Sequence, residues 1–127
     1  MANEAIELYT EGDQISYLAT TAITGKRFVD ITAAADATTG VLQAGNPAAG
    51  GLVVGVAAYD AAQGQVFTVL SDKGSVVPVT SGAAIAVGAE LEVTAVGKVI
   101  TKNTGKAIGR AFSAVGATDL DVFVQLY

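Results

Sequence analysis

Gly51-Leu52-Val53-Val54-Gly55-Val56-Ala57-Ala58-Tyr59 has an echo in Gly105-Lys106-Ala107-Ile108-Gly109-Arg110-Ala111-Phe112-Ser113. Gly51 aligns with Gly105, Gly55 with Gly109 and Ala57 with Ala111, all at one offset of 54 positions. Each copy leads into a second apolar run, Val66-Phe67-Thr68-Val69-Leu70 and Val122-Phe123-Val124-Gln125-Leu126, now at an offset of 56. The pattern predicts a two-strand unit used twice to build most of one small β-barrel or sandwich. Two units are too few for a solenoid, which needs about three.

Outward from these runs the chain reads as short strands with glycine-rich turns. Leu120, Val122, Val124 and Leu126 alternate with Asp119, Asp121, Phe123, Gln125 and Tyr127. That alternation predicts a final strand with one buried face, whose other face offers Phe123 and Tyr127 to a neighbour. Gln65 to Leu70 and Ser75 to Thr80 flank Ser71-Asp72-Lys73-Gly74, a predicted tight hairpin. Pro78 lacks a ladder donor, so its strand belongs at an edge or carries a bulge. Glu90 to Thr94 and Lys98 to Thr101 make another hairpin, with Glu90 and Glu92 on a solvated face. Upstream, Gln14 to Ile23 and Arg27 to Ile31 read as a strand and its return around Thr24-Gly25-Lys26. Residues 32–50, rich in Ala, Thr and Gly, read as a long loop and a candidate contact surface, with Pro47 near its end. Residues 1–13 read as an extended arm in which Ile6 and Leu8 alternate with acids, beside Tyr9. Such an arm suits strand addition to a neighbour. No stretch sustains a helical period, so the class is all-β, a single domain of short antiparallel strands.

Composition narrows the chemistry. The 127 residues contain no Cys and no His, which removes disulfides, thiolate metal sites and the commonest general base. Charged residues are only 15% of the chain against a usual quarter, and the net charge is −5. A charge-poor domain has wide neutral surfaces that suit contact with other subunits, and its acidic balance argues against nucleic acid as a partner. No apolar run approaches the roughly 18 residues that span a bilayer, so no membrane partner is expected. Glu4, Glu7, Glu11 and Asp13 make the amino terminus acidic where a signal peptide would be basic, which predicts synthesis in a cytoplasm.

No enzyme signature survives inspection, and no catalytic, cofactor-binding or metal-ligating residues are expected. Gly25-Lys26, Gly97-Lys98 and Gly105-Lys106 lack the rest of a phosphate loop and read as turns. The carboxylate pairs Glu90/Glu92 and Asp119/Asp121 lack apolar or cationic neighbours that would split their pKa values. No loop gathers the oxygen ligands that calcium needs. Lys98, Lys102 and Lys106 form a modest basic strip. Leu70-Ser71-Asp72-Lys73-Gly74 resembles the hairpin tip of lipoyl-type carrier domains, which would be modified on Lys73, but only about three residues carry that likeness.

A second likeness covers nearly the whole chain. Its elements are Gly12-Asp13 before Ile15 and Tyr17-Leu18-Ala19, then Ala22-Ile23-Thr24-Gly25, then Gly55-Val56-Ala57-Ala58 with Asp60-Ala61-Ala62-Gln63-Gly64-Gln65. Val77-Pro78-Val79, Ala84-Ile85-Ala86-Val87-Gly88, Ile108-Gly109-Arg110-Ala111 and Val122-Phe123-Val124-Gln125-Leu126 follow in order. In this order and spacing the chain resembles the small capsid cement, or head decoration, proteins of tailed bacteriophages. The resemblance implies a β-barrel subunit on the outer face of an expanded icosahedral shell. It would bind the major capsid protein and itself, as a homotrimer near three-fold positions. It implies no catalytic residues and no cofactor. The segment from Thr32 to Gly50 departs from the family's usual pattern. The contact candidates are Ile6, Leu8, Tyr9, Pro47, Phe123 and Tyr127. Another phage structural β-domain, a head fibre base or tail component, is the alternative.

Overall fold

A computed structural model describes residues 15–127 as ten short strands with no helix among them. They are β1 (Ile15–Ala19), β2 (Phe28–Ala33), β3 (Gln43–Gly45), β4 (Gly55–Ala57), β5 (Val66–Leu70), β6 (Val76–Thr80), β7 (Glu90–Val93), β8 (Val99–Thr101), β9 (Gly109–Ala111) and β10 (Asp121–Leu126). The first five close into a barrel in the order β1-β3-β2-β4-β5, with β5 pairing back onto β1. The last five form a sheet in the order β6-β10-β9-β7-β8. The ends of that sheet meet at a parallel bridge between Ser81 and Val99, where the Gly82 N–H donates to the Val99 carbonyl at 2.7 Å. The chain is therefore all-β, as its alternation predicts, and almost wholly antiparallel. The β1–β3 pair is parallel.

The two halves share one topology. Phe28↔Val56 and Val29↔Gly55 in the first half recur as Glu90↔Arg110 and Leu91↔Gly109 in the second. Tyr17↔Phe67 recurs as Val79↔Val122, and Ala57↔Val69 as Ala111↔Val124. The parallel contact Ala19↔Ala44 recurs as Ser81↔Val99, and the bridge Ile23↔Ala61 as Ile85↔Val115. The repeat is thus five strands, not two, and its copies fill separate barrels instead of completing one. The expected Val-Phe match at offset 56 is also one residue out of register. Phe67 and Val122, both buried, correspond, and the half-buried Thr68 corresponds to exposed Phe123. A slip of one residue exchanges the two faces of a strand, so burial decides between the two alignments.

Each copy encloses its own apolar cluster. Tyr17, Ile23, Val29, Ala44, Phe67 and Val69 are among the residues filling the first barrel. Their counterparts Val79, Ile85, Leu91, Val99, Val122 and Val124 fill the second. The first barrel offsets small Ala44 with a tilted Tyr17–Phe67 pair, ring centroids 6.4 Å apart. The second uses aliphatics at these positions, with Phe28 of the first half inserted among them. Equal spaces tolerate different side chains if total volume is kept. Gly55 and Gly109 recur for a steric reason. A Cβ at Gly109 would sit 2.8 Å from the Gln125 carbonyl oxygen, and one at Gly55 would press on the Leu70 carbonyl.

The barrels are joined by packed side chains and backbone bonds. Phe28 and Val56 are buried in the apolar cluster of the second barrel, with Val53 and Leu70 packed against it. The Phe28 N–H donates to the Gly97 carbonyl at 2.8 Å, and the Thr80 N–H donates to the Lys26 carbonyl at 2.8 Å. Lys26 Nζ meets Asp121 at 2.8 Å across the seam. The loop after β3 docks too: the Gly50 N–H donates to the Val93 carbonyl, and the Lys106 N–H donates to the Gly50 carbonyl.

Several local expectations change. Ser71 to Gly74 is the linker between barrels, not a hairpin tip, because β5 pairs with β1 and β4 while β6 pairs with β10. That removes the structural basis for a carrier lysine at Lys73. β1 and β2 are likewise not a hairpin, since β3 lies between them. The segment 32–50 is not all loop, because it supplies β3 and the docked turn at Gly50. Glu92 is only 7% exposed, covered by the loops that carry Gly50 and Gly105, and its Oε1 accepts from the Asn103 N–H. Leu120 is exposed although it keeps the apolar parity of β10. Pro78 behaves as expected. It lies on β6, the terminal strand of its sheet. The Ser81 N–H donates to the Leu120 carbonyl and the Leu126 N–H donates to the Ser75 carbonyl, so the odd-numbered positions of β6 face β10 and Pro78's missing N–H points away from that ladder.

Candidate interaction surface

The outer face of the second barrel carries apolar side chains that its own fold does not bury. Phe123 stands opposite Pro78 on one side. On the other it stands opposite Phe112, whose N–H donates to the Phe123 carbonyl at 2.7 Å. Pro78, Phe123 and Phe112 thus form one row across three adjacent segments, with Phe123 and Phe112 52% and 50% exposed. Val76 is exposed one row away, opposite Gln125, which in turn stands opposite Arg110. At the other margin lie Thr80 and Asp121. Ser113 Oγ accepts from the Phe123 N–H at 3.0 Å and fixes that corner.

The first barrel has the same positions with different chemistry. Ser16 corresponds to Pro78, Thr68 to Phe123 and Ala58 to Phe112. There Tyr59 Oη lies 3.3 Å from Thr68 Oγ1, in a polar contact. The barrel folds without an apolar row, so the row in the second copy answers to something other than the fold. An exposed apolar patch with a polar rim is the usual mark of a protein contact.

Of the residues singled out from sequence, Phe123 lies in this row. Tyr127 lies past the end of β10, exposed, and its Oη–H donates to Glu90 Oε2 at 2.9 Å. Partial loss of hydration, with Glu90 beside it, raises the Tyr127 pKa above its ordinary value near 10. Stability from this phenol is therefore fully present below the unfolded pKa and lost as pH rises through the folded one. In a 295 nm titration, the difference between wild type and Tyr127→Phe should show a midpoint above about 10. A midpoint at or below that value would contradict the hydrogen bond. Pro47 is buried, beside exposed Asn46 and Ala48. Ile6, Leu8 and Tyr9 lie outside the described residues. Phe112 was not singled out, because only the strand register makes it a neighbour of Phe123.

Among the described residues no group of His, Cys, Asp or Glu is placed to hold a metal ion. A cleft at the barrel seam, lined by Phe28, Val53, Ile108, Leu126 and Tyr127, has a volume near 220 Å³ with open solvent included. Ligand pockets usually span roughly 300–1,000 Å³. The Asp119 carboxyl is held below its usual range by its hydrogen bond and ion pair with Lys98. Lys26 and Asp119 have positive φ, at positions where the other copy has Gly88 and Gly64, also at positive φ. Non-glycine residues at positive φ are uncommon, and these two each contribute a charge to an ion pair.

The architecture is similar to a known one. The crystal structure of the head fibre gp8.5 N base of bacteriophage phi29 matches with a TM-score of 0.76 at 16% identity, covering 91% of this chain and 93% of that one. At that identity the likeness speaks for the fold. No curated protein matches the chain significantly in sequence. A family model described as phage cement protein matches residues 9–126, all ten strands of the double barrel included. The chain belongs to the phage cement protein family.

Proposed function

We propose that this protein decorates the outer face of an expanded phage head as a homotrimer and stabilises the contacts between capsomers. Family membership over residues 9–126 carries the reading. The chemistry of the surface agrees with it. The chain has few charges and exposes an aromatic row on one barrel. Many identical weak contacts on a lattice gain strength from multivalency, so a small neutral patch suffices on each copy. The partners are the major capsid protein and further copies of the chain, and the role is structural, with no catalysis. The likeness to a phage head fibre base keeps a fibre-base role as the second reading. Its test is an additional domain or partner projecting from the bound subunit.

Binding is checked by co-sedimentation with expanded, undecorated heads. The intact protein is expected to pellet to saturation. Removing residues 1–12 should lower occupancy several-fold while circular dichroism and thermal midpoint stay unchanged. Equal occupancy of the intact and shortened proteins would remove the arm from the binding surface.

A further inference from the structure

We propose that residues 1–14 of one copy dock across the outer face of the second barrel of another copy. In this arrangement Ile6 and Leu8 cover the Pro78–Phe123–Phe112 row, and the acids of the segment face Arg110 and Lys102. The inference deepens the self-association part of the proposed function and does not depend on shell binding.

Charge complementarity points to this occupant. Residues 1–14 hold four acids, Glu4, Glu7, Glu11 and Asp13, and neither Lys nor Arg. The remaining chain holds the other eight acids and all seven Lys and Arg, so nearly all of the net charge of −5 sits in this one segment. Four of the seven cations, Lys98, Lys102, Lys106 and Arg110, belong to the second barrel. Lys98 is taken by Asp119. Among the described residues Lys102 and Lys106 have no ion pair, and Arg110 only donates its Nε–H to the Gly88 carbonyl at 3.2 Å. Arg110 stands two residues before Phe112, so its side chain borders the apolar row on the same face. Glu90, opposite Arg110, is occupied by the Tyr127 hydroxyl. On the other margin Asp121 is neutralised by Lys26 at 2.8 Å. Arg110 therefore offers a cation beside the row, with Lys102 one segment further, its N–H donating to the Glu90 carbonyl, and the carboxylate on the other margin is compensated.

Geometry permits the fit. In an extended segment Ile6 and Leu8 lie on one side, about 7 Å apart. Residues on adjacent strands of the row are about 5 Å apart, and diagonal neighbours about 7–8 Å. Fourteen extended residues reach up to about 50 Å, enough to leave the first barrel at Ile15 and cross to another subunit. Each copy would then give one arm and offer one face. Such head-to-tail contacts close into a ring when the rotation between copies allows.

Three full-length proteins test the idea by light scattering after size exclusion, without capsids. They are wild type, an arm variant (Ile6→Ser with Leu8→Ser) and a face variant (Phe112→Ser with Phe123→Ser). Wild type should run as an oligomer and each variant as the 12.7 kDa monomer with an unchanged thermal midpoint. Mixing the two variants should restore a one-to-one pair, since one keeps its face and the other its arm. Raising salt from 50 to 500 mM should weaken that pair several-fold. If the face variant does not fold, Arg110→Glu with Lys102→Glu takes its place. A monomeric wild type, which is the result for an arm folded onto its own chain, would overturn the proposal. So would either variant assembling like wild type, or a mixture that yields no pair.

Discussion

Gly109→Val is expected to lower stability by about 3 kcal/mol or more, the upper range for forcing volume into a packed site. In thermal unfolding this is a fall of roughly 10 °C. A Cβ at this position lies 2.5 Å from Val124 Cγ1 and 2.8 Å from the Gln125 carbonyl oxygen. Val124 can shift, but the carbonyl belongs to the β9–β10 ladder and cannot retreat without breaking it. Gly55 faces the same obstacle in the first barrel, where the atom in the way is the Leu70 carbonyl. Gly116 has no heavy atom near its Cβ direction, so Gly116→Ala serves as the control and should change stability by less than about 0.5 kcal/mol. An unshifted midpoint for Gly109→Val would mean that β9 and β10 are not as close as described.

Phe28→Ala should cost about 3–5 kcal/mol, the range for removing a buried aromatic ring. Its effect should also differ in kind. Phe28 grows from the first barrel but is buried in the cluster of the second. With Val56, and with Val53 and Leu70 packed against the same cluster, it supplies apolar contact between the barrels, so the two are expected to unfold as one body. Wild type should show a single cooperative transition in urea. The variant should show a broadened or two-step curve with a lower apparent m-value, since the barrels then melt separately. A single transition with an unchanged slope would show that the backbone bonds at Gly97, Lys26 and Gly50 couple the barrels without the ring.

What the sequence reveals here follows from which interactions are local. Alternation in β5 and β10 is legible because each strand has one buried face. Pro78 announces an edge because its missing N–H is a property of the residue itself. Gly55 and Gly109 expose the repeat because a close approach between strands forbids any side chain in both copies. The full repeat is harder to see. Its core positions exchange Tyr17 for Val79, Phe67 for Val122 and Ala44 for Val99, which keeps apolar burial and not identity. Loop differences also change the offset between copies, so one alignment frame cannot follow all five strands. Within a fixed frame the Val-Phe letters match attractively and wrongly. Burial of Glu92 depends on loops distant in sequence, those of Gly50 and Gly105, which no local pattern announces. The interaction row shows the same division. Phe123 is visible as an aromatic on the outer parity of a strand, whereas Phe112 becomes its partner only through register.

As a member of the cement family, this double barrel is expected to coat phage heads. Cryogenic imaging of expanded, undecorated heads after addition of the purified protein tests it most directly. Ordered density the size of a double barrel is expected at repeated positions on the outer surface. Bare heads at saturating protein, or density confined to the interior, would contradict it.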